Sequence, residues 1–247
     1  VIGALMLRDM QTRFGRSFFG YVISVAWPLA HLLALMIIYL LIRRAIPIGT
    51  SAPVFLGTGI LPYILCLYPA RMIMMSLMQN QSLLYFPIVK SFDVILARGI
   101  LEIITAFWVT VIFCGILYLF GVDIVPVHPE EALLAIFATI YLSFSIGFVS
   151  AVIYKMMRAW MVVVILVLIV MYFTSGALIV PSTLPEWAQY YIWFNPLLHS
   201  VEWLRAAYYD GYSYGMLSRG YLLGFATVLL AIGLVTERAF RGMILQT

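Results

Sequence analysis

The stretch ISVAWPLAHLLALMIIYLLI, residues 23–42, carries no charged residue. A helix needs about 20 apolar residues to cross the hydrocarbon core of a bilayer, and this stretch supplies them in one run. The pattern recurs: apolar segments cover 18–42, 54–79, 94–120, 131–153, 159–180 and 217–236. In hydrocarbon a backbone must satisfy its own polar groups, so each segment is expected to be a transmembrane helix. Composition points the same way. Of 247 residues 65% are hydrophobic and 10% charged, whereas a soluble domain carries about 25% charged residues. Such a chain has too little polar surface to cover itself in water. The expected fold is an all-α integral membrane protein, one domain over 1–247, with six transmembrane helices.

Residues 1–16 follow another pattern. Ile2, Leu5, Met6, Met10 and Phe14 recur at helical spacing, with Arg8, Asp9, Gln11, Thr12, Arg13 and Arg16 assigned to the other side. This reads as an amphipathic interfacial helix whose arginines face lipid phosphates. The arginines also break any apolar core a secretory signal would need. The chain opens at Val1 rather than Met, so a short preceding segment is expected. The pI of about 9.1 bears on topology, not on nucleic acid, because Lys and Arg report sidedness. With the N-terminus inside, Arg8, Arg13, Arg16, Lys90, Arg98, Lys155, Arg158, Arg238 and Arg241 are cytoplasmic, against Arg43, Arg44, Arg205 and Arg219 outside. Both termini are therefore expected in the cytoplasm. Arg43 and Arg44 run against this bias and are expected to snorkel to outer headgroups.

Two connections stand out. The inner loop at 80–93 has the apolar centre LLYFPIV, where Leu84, Tyr85, Phe86, Pro87 and Ile88 would not suit a solvated loop. It is expected to dock, against this chain's own helices or against a partner. The outer segment 181–216 is too apolar for a loop and too polar for a span. Pro185 fits the start of one short helix, Asn195–Pro196 makes an N-cap and N1 pair for another, and Gly211 is a stop. On the second helix Leu197, Val201, Leu204 and Tyr208 form an apolar stripe, with His199, Glu202, Arg205 and Tyr209 opposite. Glu202 and Arg205, three apart, can pair. The segment reads as a periplasmic re-entrant helical hairpin with one face on protein and the other on a wet cavity.

Signatures of covalent chemistry are absent. There is no H-E-x-x-H, G-x-S-x-G, zinc-spaced Cys/His cluster or phosphate-binding P-loop, so no metal site is expected and no ATP site in this chain. Gly57 and Gly59 are expected to permit close helix packing. Cys66 and Cys114 read as inert thiols in apolar surroundings, and Glu102 either as a partner of Arg98 at i, i+4 near the inner surface or as a proton-coupling acid. Arg71, read as deep in the second span after Pro62 and Pro69, either faces a path for an anionic substrate or is satisfied by carbonyls and snorkels inward. Rings with polar tips, Tyr190, Tyr191, Trp193, Trp203, Tyr208, Tyr209, Tyr212 and Tyr214, suit an interfacial belt or the apolar faces of sugars. The candidate substrate path is Arg71, Tyr63, Trp193, His199, Glu202, Trp203 and Arg205.

LRDMQTRFGRSFFGYVISVAWPLAHLL at 7–33, PVFLGTGILPYIL at 53–65 and NPLLHSVEWLRAAY at 195–208 together resemble the permease subunits of polysaccharide-exporting ABC transporters. The first matches an R-[DE]-x-x-x-R-[FY]-G run before a G-Y-x-x-x-x-x-x-P-x-x-H-L-L span. The resemblance covers nearly the whole chain in the right order and is nearest the capsular polysaccharide exporters. It implies a homodimer around a channel in the bacterial inner membrane and two separate ATP-binding cassette subunits that hold ATP and Mg. It also implies a lipid-linked polysaccharide as cargo, periplasmic or outer-membrane export proteins beyond, and no cofactor in this chain. The 84–88 loop would sit in a groove of the ATPase, and Arg8, Arg13 and Arg16 would flank the entrance for the lipid-linked end. An O-antigen or teichoic-acid exporter of the same architecture is the near alternative. An integral membrane glycosyl- or acyltransferase using His199 and Glu202 is the alternative from another class.

Overall fold

The structure, a computed structural model, describes residues 1–14, 18–42, 48–49, 51–212 and 214–246, without the side chains of 11–14, 18–20, 214 and 243–246. Among the described residues it is helical with no strand. The elements are α1 (Ile2–Phe14), α2 (Phe18–Leu41), α3 (Ala52–Met74), α4 (Ser76–Gln79), α5 (Ser91–Leu119), α6 (Pro129–Met156), α7 (Trp160–Thr174), α8 (Glu186–Ile192), α9 (Pro196–Tyr208) and α10 (Arg219–Gln246). Five of these, α2, α3, α5, α6 and α10, contain stretches long and apolar enough to cross a membrane.

α3 is the axis of the bundle. It is buried along most of its length and packs against α2, α5, α6, α7 and α9. Its contact with α6 is close because α6 turns small residues inward, among them Ala135, Ala138, Ser143 and Ala151, all buried. Small side chains let backbones approach where lipid supplies no hydrophobic drive between helices. The Ser143 hydroxyl uses that approach to donate to the Cys66 carbonyl at 2.8 Å. The outer faces carry large apolar side chains in the open, such as Trp27 and Ile37 on α2, Leu166 and Phe173 on α7, and Val228 and Val235 on α10. In water that surface would be a liability; in lipid it is the ordinary exterior.

Element ends shift by a few residues throughout, α10 continues to Gln246 rather than 236, and three further differences bear on the site. The second span does not run unbroken to 79: α3 ends at Met74 and α4 restarts at Ser76. Arg71 consequently lies in the last turn of α3, not deep in its middle, and is half-buried. The fifth apolar run stops early. α7 has 15 residues, about 22 Å at 1.5 Å per residue, short of the ~30 Å hydrocarbon core. Its end is chemical. The Ser175 hydroxyl donates to the Tyr172 carbonyl at 2.7 Å and accepts from the Ala177 N–H at 3.3 Å. Gly176 then turns the chain at φ +74°, where a side chain would be strained. The irregular stretch that follows is buried in protein, with Ser175, Ala177 and Val180 among its shielded residues, one of the settings in which a membrane protein tolerates open backbone. Finally, α1 does not lie with all its polar residues outward: Leu5 and Asp9 are buried, while Leu7 is exposed.

Other expectations hold. Asn195 caps α9, its side-chain oxygen accepting from the Leu197 N–H at 2.9 Å, with Pro196 at N1. Gly57 meets another helix as expected, a Cβ there sitting 3.0 Å from the Phe113 ring of α5, but Gly59 differs: a methyl there would run into the Ala177 carbonyl of the irregular stretch after α7, not into a helix. Arg16, Arg43 and Arg44 lie outside the described residues, as does the side chain of Arg13.

Candidate functional site

Two clusters of buried polar side chains lie near opposite ends of α3. One is built on the 181–212 segment. Every residue from Pro196 to Ala207 is buried, so both faces of α9 meet protein. The expected wet face of His199, Glu202 and Arg205 is therefore absent from the single chain. The reason is the lodging of α9 between α3, α6, α7 and α10. Asn195 fixes the entry of the helix by donating to the Met171 carbonyl at 2.7 Å and to Thr174 Oγ1 at 2.8 Å.

Arg205 is fully shielded. Its guanidinium donates to the carbonyls of Ala177 at 2.8 Å and Ile179 at 3.0 Å and lies 4.4 Å from the centre of the Phe55 ring. The expected Glu202 partner is 3.8 Å away, a looser contact than the two carbonyls. Glu202 instead accepts a 2.7 Å hydrogen bond from the Tyr212 hydroxyl. Burial pushes the Glu202 carboxyl above its ordinary value, against that hydrogen bond and the Arg205 charge, which act downward. Arg205 thus serves as a clamp on the irregular stretch after α7.

His199 has both ring nitrogens engaged. The Ser218 N–H donates to Nδ1 at 3.1 Å, and Nε2 meets the Trp193 carbonyl at 2.9 Å. An N–H can only donate and a carbonyl only accept, so the imidazole is neutral with its proton on Nε2. Burial pulls its pKa below the ordinary histidine value, with the backbone hydrogen bonds opposing. The Trp193 ring, half-buried, packs against His199 and Tyr221 at 5.2 and 4.8 Å between centres. With Glu186, Gln189, Tyr190, Phe194 and Met216 it lines an open groove of about 380 Å³. Trp203 is buried, its indole donating to Glu131 Oε2 at 2.6 Å, and Arg219 reaches the same carboxylate at 3.1 Å. Tyr63 is buried too, its ring 4.2 Å from that of Tyr172. Of the candidate path residues, Trp193 and Arg71 keep exposed surface, and the other five are built into the fold.

The second cluster lies where α1, the 80–84 turn and α5 meet. Arg98, fully shielded, donates to Glu102 at 2.8 Å and to Asp9 at 2.7 Å. The Glu102 partner was readable from i, i+4 spacing; Asp9 was not assigned to it. A signal existed: position 9 is four after Leu5 and three after Met6, on the helix's apolar side. Asn80 donates to Asp9 at 3.1 Å. Arg8 donates to Asn80 Oδ1 at 3.3 Å and Ser82 Oγ at 3.4 Å, toward the turn rather than away from the protein. At the start of α5, the Ser91 hydroxyl donates to Glu237 of α10. Beyond this node the turn projects outward. Leu84 is buried, but Tyr85, Phe86, Pro87 and Ile88 are exposed. Among the described residues no three His, Cys, Asp or Glu side chains are grouped to hold a metal ion.

The whole chain has known relatives. It is 31% identical over 238 residues to the polysialic acid transport protein KpsM of Escherichia coli, spanning 96% of this chain and 92% of the relative. It is 28% identical over 240 residues to the capsule polysaccharide export inner-membrane protein CtrC of Neisseria meningitidis serogroup A (97% and 91%). It is 26% identical over 248 residues to the capsule polysaccharide export inner-membrane protein BexB of Haemophilus influenzae (97% and 91%). Residues 1–209 match the ABC-2 type transporter family, which takes in α1, the exposed turn and the buried α9. The chain belongs to the ABC-2 type transporter family of membrane proteins.

Proposed function

We propose that this chain is the permease subunit of an ATP-driven exporter that moves a lipid-anchored capsular polysaccharide across the bacterial inner membrane. The observation that carries this reading is the end-to-end match to a polysialic acid transport protein and to capsule polysaccharide export proteins, over 96–97% of this chain and more than nine-tenths of each relative. Names of capsule export among those relatives favour that cargo over O-antigen or teichoic acid. Two copies pair around the channel, and two separate ATP-binding cassette subunits supply the nucleotide site and Mg that this sequence lacks. α7 and the buried stretch after it make the fifth of six crossings, α8 and α9 form the re-entrant hairpin of the outer leaflet, and both termini are cytoplasmic. Periplasmic or outer-membrane proteins receive the polymer.

The exposed Tyr85, Phe86 and Ile88 support a role for the 84–88 turn as the ATPase contact, since an apolar tip in the cytoplasm needs a cover. Arg71 and Trp193, which keep exposed surface, contact the polymer. Tyr63, His199, Glu202, Trp203 and Arg205 set the wall behind them. The transferase alternative gains no support. A general acid or base must reach its substrate, whereas His199 and Glu202 are buried and engaged.

The test is coexpression with the partner ATPase. Washed intact cells should carry surface carbohydrate by phenol–sulfuric acid assay, and loss of this chain should leave polymer inside. Phe86→Asp with Ile88→Asp should abolish co-purification of the ATPase; unchanged co-purification would refute the contact.

A further inference from the structure

The exporter reading gives the 84–88 turn a task and sets α1 beside the entrance for the lipid-linked end. Its hydrogen bonds describe something more specific. Asp9 is buried and faces the protein. It accepts from Asn80, the residue at which α4 ends and the turn begins, and from Arg98 on α5, at 3.1 and 2.7 Å. Asn80 is itself fixed by donating to the Ser76 carbonyl at 3.1 Å. The neighbouring Arg8 adds its bonds to Asn80 and Ser82. Leu5 of α1 and Leu84 of the turn belong to one apolar cluster with Leu77, Val94 and Ile95.

Two adjacent residues of α1 thus hold the base of the turn whose tip carries Tyr85, Phe86 and Ile88. The same carboxylate holds α5. Charge-assisted bonds are the strong ones, and in a shielded setting water does not readily replace them. A push on the tip has a short path to α1, from the turn through Asn80 to Asp9.

We propose that Asp9 is a positioning residue that locks α1, the 80–84 turn and α5 into one moving body, so that α1 shifts whenever a partner displaces the turn. The proposal rests on the exporter reading for the source of the push. The lock itself is independent of the cargo. Asp9 needs no contact with the polymer; it acts through Asn80 and Arg98. Conversely, anything that pulls α1 away from the turn also strains the base of the partner contact, as reciprocity between coupled sites requires.

The test uses the complex with its ATPase and a nitroxide on Leu7→Cys, a position on the exposed side of α1. ATP should change the nitroxide spectrum in the otherwise unaltered chain. Asp9→Asn should remove that change while the partner still hydrolyses ATP, and surface carbohydrate on intact cells should fall about fivefold or more, the low end of ordinary coupling. Asp9→Glu, which keeps the carboxylate, should restore both. A full ATP-driven change in Asp9→Asn, or surface carbohydrate equal to that of the unaltered chain, overturns the proposal. Should Asp9→Asn fail to accumulate, Asn80→Ala decides, since it cuts the turn from Asp9 and leaves the Arg98 pair. A partial loss of both signals supports the lock, and an unaltered pair of signals overturns it. An ATP-driven change at Leu7 in a complex that moves no carbohydrate would uphold the lock and sink the exporter reading, so the two failures are distinct.

Discussion

Replacing Arg205 with methionine tests whether the clamp on the 177–179 stretch is as consequential as its geometry says. The guanidinium makes two bonds, at 2.8 and 3.0 Å, to carbonyls outside regular structure, and stacks on Phe55 at 4.4 Å. Hydrogen bonds to a charged group contribute about 1.5–3 kcal/mol each, and a desolvated cation–π contact about 2 kcal/mol. Against that stands the cost of burying the cation, several kcal/mol. Methionine removes the cost with the gain, but it leaves the two carbonyls without those donors and Glu202 with no cation at 3.8 Å. Breaking one side of a buried charged arrangement costs about 3–5 kcal/mol, so that is the expected loss. For a chain of this size it lowers the midpoint of unfolding by roughly 10 °C. The assay is the fraction of monodisperse protein by size-exclusion chromatography after a temperature ramp in detergent. Arg205→Lys should recover little, since an ammonium cannot fork to two carbonyls while stacking on a ring. Adding Glu202→Gln to Arg205→Met should recover part of the loss. A shift under about 2 °C for Arg205→Met would refute the reasoning, because it would put the clamp below 1 kcal/mol.

Gly59→Ala should be as damaging as any single methyl in the bundle, because its Cβ would run into the Ala177 carbonyl held by Arg205; the same melting assay checks it, and near-normal stability would show that the stretch yields freely. His199 gives a pH signature. Its folded pKa is lowered by burial, so its contribution is fully present above the unfolded value near 6.5 and is lost as pH falls below it. The acid-side decline in melting temperature should be shallower in His199→Gln, which can keep one donor and one acceptor, than in the unaltered protein. Thiol labelling separates the two clusters: Ile88→Cys should react readily with maleimide in the purified chain, while Glu202→Cys should stay unreactive until the protein is unfolded, and fast labelling at 202 would contradict the packing of α9.

What could be read from the sequence follows from what is local. Twenty apolar residues make a helix wherever they fall, so α2, α5 and α6 were visible in outline. The Asn195–Pro196 start of α9 and the tight position at Gly59 were visible because capping and side-chain volume act over a few residues. The early end of α7 was hidden because residues 177–180, ALIV, are as apolar as a helix would be. Only Ser175, Gly176 and Pro181 mark it, and polarity scales give them little weight. The partners of Arg205 were hidden for a deeper reason: they are backbone carbonyls of a distant segment, and carbonyls have no identity in a sequence. Asp9 was placed on the wrong side of α1 because charge was taken as a sign of solvent. A carboxylate that meets a buried guanidinium breaks that rule, and its partner lies 89 positions away.

The burial of α9 has a consequence for how the molecule is made. Pro196–Tyr208 is too short to cross a bilayer and carries His, Glu and Arg, so it has no stable place in lipid by itself. Its partners are α3 and α6, synthesised earlier, and α7, whose Met171 carbonyl receives Asn195. The final tie is the Ser218 N–H on His199, just ahead of α10. α9 can therefore be enclosed only once the helices before it have associated and the last one is emerging. The most buried helix of the bundle is thus among the last to find its place.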